Sequence, residues 1–150
     1  MLKLIRERVF VFTLLWTGFI LAISFMEAPL KFQAPSLTLA VGLEIGYLVF
    51  HALNGVEIVF AAVILLVTLT AQWLQPLRRL TWLVMLVLVA QTILLYTALD
   101  ARTLAIINGE TVPEAPYHLI YIGMEVVKLL LLLRLTHLQI NAFGLKIQEA

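Results

Sequence analysis

Ionisable side chains interrupt the apolar runs of this sequence at positions where a helix facing lipid would carry none. His51 and Glu57 lie inside one run, and Glu125 and Lys128 lie inside another. A charged side chain near the centre of a bilayer costs at least about 2.5–3.5 kcal/mol on insertion scales, so such residues usually face a bundle interior and mark a functional site. We therefore predict that Glu57, Glu125 and Lys128 are catalytic or proton-handling residues.

Helical spacing adds further polar residues to these four. Residues seven positions apart lie on nearly the same line of an α-helix, and this is the spacing of Glu44 and His51 and of His118 and Glu125. Lys128 follows Glu125 by three positions, which is within pairing reach. The sequence thus predicts two polar stripes on two helices, and only tertiary packing decides whether the stripes meet.

Carboxylates with two histidines are the ligand set of di-iron and di-manganese bundle proteins. The predicted metal ligands are His51, His118, Glu44, Glu57, Glu125 and Glu27. Residues predicted to hydrogen-bond to these ligands and orient them are Tyr47, Asn54 and Tyr121. The Glu-x-x-His spacing of soluble di-iron bundles is absent, and the two histidines could instead hold a haem axially. The predicted cofactor is therefore a transition metal, such as a di-iron pair, or a haem.

Structural interpretations compete with these functional ones. Glu125 and Lys128 are spaced to form an ion pair that neutralises itself. Residues near the ends of the apolar runs could reach water or lipid headgroups, and these are Glu27, Glu44 and His118. His51, Asn54 and Glu57 resist this interpretation best, because all three lie well inside the second run.

The composition is that of a membrane protein. Of 150 residues, 63% are hydrophobic and 13% are charged, and the mean hydropathy is +1.04. Soluble domains are about 45–50% apolar and about 25% charged. The absence of cysteine excludes disulfides, thiolate metal sites and Fe–S clusters. A net charge of +1 gives no reason to expect nucleic acid as a partner.

The apolar runs predict an all-α integral membrane four-helix bundle. A spanning helix needs about 20 mostly apolar residues. The predicted spans, within a single transmembrane domain of residues 1–150, are roughly 9–26, 40–72, 80–99 and 117–135. The first run is long for a signal peptide and lacks a convincing cleavage site, so we expect a retained helix.

The distribution of basic residues predicts the orientation. Basic residues lie before the first span, between the second and third, and after the fourth: Lys3, Arg6, Arg8, Arg78, Arg79, Arg134 and Lys146. Cytoplasmic loops carry an excess of Lys and Arg. We therefore expect an up-down-up-down bundle with both termini cytoplasmic, in an inner or plasma membrane.

Short motifs suggest a family. They are Trp16-Thr17-Gly18, Ala28-Pro29-Leu30-Lys31-Phe32 with Pro35, Gln75-Pro76-Leu77 and Tyr117-His118. The pattern resembles the small four-helix membrane proteins grouped around anthrone-oxygenase-like proteins and the family named after "transmembrane protein 205". This resemblance implies a four-helix bundle and marks His51 and His118 as positions where similar proteins often carry polar residues. Glu44, Glu57 and the Glu125–Lys128 pair lie outside the pattern.

Three functions fit these observations. The first is a membrane-embedded metal- or haem-binding redox or oxygenase-type protein, whose His and carboxylate site acts on a lipophilic small molecule that enters from the bilayer. The second is a small proton- or ion-coupled transporter, for which four helices make a thin wall and a homo-oligomer is expected. The third is an accessory subunit of a larger membrane complex.

Overall fold

Four long helices make up the computed structural model, which describes residues 7–70 and 75–143. The helices are α1 (Val9–Lys31), α2 (Leu39–Thr70), α3 (Gln75–Ile107) and α4 (Tyr117–Phe143). No strand occurs in these two ranges, so the all-α prediction is confirmed for them. Lys3, Arg6, Lys146 and the last two residues of the predicted second span lie outside the described residues.

Three of the helices, α1, α2 and α3, are long and apolar enough to cross a membrane. Their outward faces carry exposed aliphatic side chains, such as Leu48 at 63% and Leu86 at 65% exposure. Such apolar surface is costly in water and suits lipid tails. Helix α4 is 27 residues long and carries three charged residues in its apolar middle part, Glu125, Lys128 and Arg134.

Each helix packs against two others. α1 contacts α2 and α4, and α3 also contacts α2 and α4, so α2 and α4 lie diagonally across the bundle. The buried apolar core draws on all four helices, with members that include Trp16, Ile64, Val84 and Leu132. A diagonal arrangement lets long side chains of α2 and α4 meet at the bundle axis.

Two helices depart from regular α-helical geometry, each near one end. Residues Leu21–Glu27 of α1 and Leu95–Leu99 of α3 are π-helical. The stretch in α1 ends two residues before Pro29, whose missing N–H and bulky ring disfavour a regular turn on its N-terminal side. Single wide turns of this kind occur often at functional sites.

Glycine allows one close approach that shapes the same end of the bundle. A Cβ at Gly42 would lie 2.4 Å from Cε1 of Phe32, so only glycine lets this ring rest against the backbone of α2. At the end of α3, Gly109 adopts a φ of +80°, a left-handed conformation that costs little only for glycine.

Candidate functional site

Three charged side chains meet at the centre of the bundle and form what we call the charged triad: Glu57, Glu125 and Lys128. Lys128 Nζ lies 2.5 Å from Glu57 Oε1 and 3.3 Å from Glu125 Oε2. Glu57 and Lys128 are 0% exposed and Glu125 is 1% exposed. The two predicted polar stripes therefore meet, and the ion pair expected from the spacing of Glu125 and Lys128 is extended by Glu57 of α2.

Trp16 of α1 completes the surroundings of Glu57. Its indole Nε1 donates a hydrogen bond of 2.8 Å to Glu57 Oε1. That oxygen thus faces both an indole N–H and an ammonium group, an arrangement that stabilises a negative charge at a buried position. Helices α1, α2 and α4 together hold the triad, so its geometry depends on tertiary packing.

A cavity of about 420 Å³ lies beside the triad. It is enclosed by the C-terminal parts of α1 and α3 and the N-terminal parts of α2 and α4. Glu125 belongs both to the wall of this cavity and to the triad. Most of the wall is apolar or aromatic, and the rest is formed by polar side chains: Ser24, Lys31, Tyr47, Asp100, Thr103, His118, Tyr121 and Glu125.

Irregular backbone lines this cavity on two sides. Ser24 and Phe25 come from the π-helical stretch of α1, and Leu95 and Leu99 come from that of α3. A wide turn shifts the register of a helix and redirects the side chains around it. Both departures from α-helical geometry in the described helices therefore fall where the cavity is.

His51 forms a second polar cluster at the edge of the cavity. Its Nδ1 lies 2.7 Å from the carbonyl oxygen of Tyr47, and its Nε2 lies 3.0 Å from Asp100 Oδ2. A carbonyl oxygen only accepts hydrogen bonds, so Nδ1 carries a proton. The contact at Nε2 is then either an imidazolium–carboxylate pair or a neutral imidazole accepting from a protonated carboxyl group. Tyr96 packs against this imidazole edge to face, with 4.6 Å between ring centroids.

The remaining predicted site residues are dispersed. Glu27 pairs with Lys31 at 3.4 Å on α1, and Glu44 is exposed. His118 is exposed at the start of α4, although it contributes to the cavity wall. Asn54 donates to Thr92 Oγ1 at 2.8 Å.

This arrangement does not fit the predicted metal or haem site. No group of three or more His, Asp or Glu side chains that could hold a metal ion occurs within residues 7–70 and 75–143. Both ring nitrogens of His51 are engaged by Tyr47 and Asp100, so neither is free for iron. Between Glu57 and Glu125, the position of a bound cation is taken by the ammonium group of Lys128. The six predicted ligands are divided among separate clusters.

Sequence reasoning missed several contributors. Trp16 entered only as part of the family pattern, and Asp100 was not among the predicted site residues. A tryptophan in mid-span is itself a signal, because the aromatic belts of membrane proteins place Trp at the two interfaces. Gln91 is also fully buried in the middle of a span. It was not predicted as a site residue, because only the charged residues and their neighbours were considered.

Comparison of this chain with protein-family models, curated proteins and solved structures found no match. The resemblance to anthrone-oxygenase-like proteins therefore stays a prediction.

Proposed function

We propose that this chain is a membrane-embedded protein that binds a lipophilic small molecule in the cavity and exchanges a proton as it does so. This is the chemistry of a small proton-coupled transporter. The observation that carries the proposal is the double position of Glu125, in the cavity wall and 3.3 Å from Lys128 Nζ. A molecule in the cavity would lie directly against the triad.

The charge of the triad supports proton exchange. Two carboxyl groups face one ammonium group, so the triad is neutral when one carboxyl group carries a proton. A net charge at a buried position is costly because the interior solvates it poorly. A ligand that changes the charge or polarity beside Glu125 therefore changes how tightly this proton is held, which couples protonation to ligand binding.

The remainder of the wall supports a lipophilic ligand. Aromatic and aliphatic side chains dominate it, among them Phe25, Phe50, Leu95 and Ile122. Ligand sites of this size are typically apolar with a few polar groups that fix orientation. The bilayer would supply such a molecule at high local concentration, which agrees with the three helices apolar enough to cross a membrane.

Metal- or haem-dependent oxidation stays a prediction that the described donor groups do not support. The role of accessory subunit stays a prediction, since no contact in the described part of the chain bears on it. A homo-oligomer likewise remains an expectation from the small number of helices.

The test is ligand binding by the protein reconstituted in lipid nanodiscs, with cationic, neutral and anionic lipophilic dyes as probes. At least one dye should bind saturably, with an affinity that changes from acidic to alkaline pH. Glu125→Gln should remove that pH dependence, because the amide cannot exchange a proton. Glu110→Gln is the matched control, since Glu110 is exposed and outside the cavity wall.

Transport is tested separately in proteoliposomes. A pH gradient should drive accumulation of a dye that binds, and Glu125→Gln should abolish the dependence on the gradient. Saturable binding by none of the dyes, or an unchanged pH dependence in the Glu125 variant, would refute the proposal.

A further inference from the structure

Carboxyl groups outnumber ammonium groups around the cavity. The carboxyl groups in or directly behind its wall are Glu27, Glu57, Asp100 and Glu125, and the ammonium groups are Lys31 and Lys128. Three of the carboxyl groups have a close basic neighbour: Lys31 for Glu27, Lys128 for Glu57 and His51 for Asp100. Glu125 shares Lys128 with Glu57, which lies closer to the ammonium group, so Glu125 is the carboxyl group with the least compensated charge. The other imidazole in the wall, His118, lies on an exposed residue.

The carboxyl group of Glu125 also has few polar contacts. Apart from the 3.3 Å contact of one oxygen with Lys128 Nζ, neither oxygen makes a hydrogen bond of regular geometry among the described residues, although Glu125 is 1% exposed. The same holds for the hydroxyl oxygens of its cavity neighbours Ser24 and Tyr121, and Tyr121 is 3% exposed. Buried polar atoms nearly always find a partner, so this cluster in the wall points to a ligand with a polar or charged end.

Another part of the cavity wall already accommodates a cation. Lys31 Nζ lies 5.5 Å from the ring centroid of Phe32 and 5.7 Å from that of Phe50. These distances are typical of cation–π attraction. The ammonium group is also 3.0 Å from the position that a Cβ at Gly46 would take, so glycine there leaves room for it. The chain therefore holds its own tethered cation against the aromatic wall.

Resting on the proposed function, we infer that the ligands are lipophilic organic cations, bound with the positive charge at Glu125 and the apolar groups against the aromatic wall. The exchange is balanced: a protonated Glu125 carboxyl group and a free cation give a carboxylate–cation pair and one proton released to water. The tethered ammonium of Lys31 repels the incoming cation and competes for the ring of Phe50, so it lowers the affinity.

Tetraphenylphosphonium and tetraphenylborate test this inference, because the two ions have nearly the same size and shape and opposite charge. Binding to the protein in nanodiscs is measured by calorimetry, and proton release is measured in weakly buffered solution. Tetraphenylphosphonium should bind about tenfold or more tightly than tetraphenylborate, a factor worth about 1.4 kcal/mol. About one proton should be released per cation bound, as the neutrality of the triad requires.

Two variants should move the affinity for tetraphenylphosphonium in opposite directions. Glu125→Gln should weaken binding by about tenfold and abolish proton release. Lys31→Gln leaves the triad intact and should strengthen binding several-fold, because it removes the competing charge. If Glu125→Gln does not fold, the Lys31 variant and the comparison of the two ions still decide the question. Glu110→Gln should change neither quantity.

Three outcomes would overturn the inference. They are equal or tighter binding of tetraphenylborate, cation binding without proton release, and a loss of affinity in Lys31→Gln. If a neutral or anionic dye binds with the Glu125-dependent pH effect while the cation does not, the proposed function survives and only the cationic ligand class is rejected. If no probe binds at all, both fail together.

Discussion

The two halves of the bundle are built differently. In the half without the cavity, which we call the closed half, Val9, Ile64, Leu77, Leu132 and Leu135 form a continuous apolar core. Its buried polar groups are uncharged threonine and glutamine side chains. Several of them bond to one another or to their own helix: Thr13 Oγ1 donates to Gln139 Oε1 at 2.7 Å, for example. In the cavity half, charged groups line a void. Most of the buried polar atoms without a described partner belong to this half or to the triad, although the closed half also has two, on Thr136 and Gln139.

The triad lies at the boundary between these halves. On α4, Leu132 and Leu135 are 0% exposed and separate Lys128 from the polar pair at Gln139. The triad therefore faces the cavity on one side and close-packed leucine on the other. The contrast indicates that the closed half provides cohesion through close packing, whereas the cavity half is less closely packed and places charged side chains around a void.

The largest expected effect comes from removing the cation of the triad. Lys128→Met leaves two buried carboxyl groups without their counter-charge, and removing one partner of a buried ion pair costs about 3–5 kcal/mol. Thermal unfolding in detergent, followed by circular dichroism, measures the loss. The same method should show substantial recovery when Glu57→Gln and Glu125→Gln are added, because a neutral centre needs no cation. Failure of the added changes to restore stability would mean that the lysine acts through packing.

A truncation in the apolar core of the closed half should lower the stability somewhat less than the loss of Lys128 does, and it should leave ligand binding intact. Leu132→Ala removes a fully buried side chain, and such truncations cost about 2–5 kcal/mol. The matched control is Leu133→Ala, since Leu133 is 46% exposed and its loss should be small. A changed dye affinity in the folded Leu132 variant would break the proposed division between cohesion and binding.

Two glycines on α2 should respond with opposite sign. A Cβ at Gly42 would overlap the Phe32 ring, so Gly42→Ala forces this ring to move. Overpacking of this kind costs about 1–3 kcal/mol. A Cβ at Gly55 would meet no described atom within 4 Å. Gly55→Ala should therefore stabilise the helix by about 0.5–1 kcal/mol. The melting temperatures of the two variants test whether the Phe32 ring lies against the backbone at Gly42. Similar decreases in both variants would contradict this contact.

The smallest expected effect concerns the polar contact of the closed half. Thr13→Val removes the hydrogen bond to Gln139, and hydrogen bonds between membrane helices average about 0.6 kcal/mol. The free energy of unfolding, measured at equilibrium, should show this loss. The control is Thr70→Val, because Thr70 is exposed and its hydroxyl group bonds only to its own helix. A cost of several kcal/mol would show that hydrogen bonds between uncharged side chains contribute as much to stability as the charged triad does.

The sequence alone was sufficient to predict the helices and the residues that lipid does not tolerate. Hydropathy is a local property, so the apolar runs predicted four helices whose described bounds extend to or beyond most of the predicted spans. The cost of burying charge likewise identified Glu57, Glu125 and Lys128 as residues that face inward, and all three are buried.

Only the tertiary structure decided which of these residues meet. His51 and Glu57 share a helix but lie about 120° apart around its axis, as six positions require, so they enter different clusters. The partners of His51 and Glu57 depend on the diagonal placement of α2 and α4 and on the π-helical turns. Helix periodicity predicts neither this placement nor these turns. The sequence therefore determined which groups are buried, whereas packing determined that Lys128 lies between the two carboxylates and that a cavity opens beside Glu125.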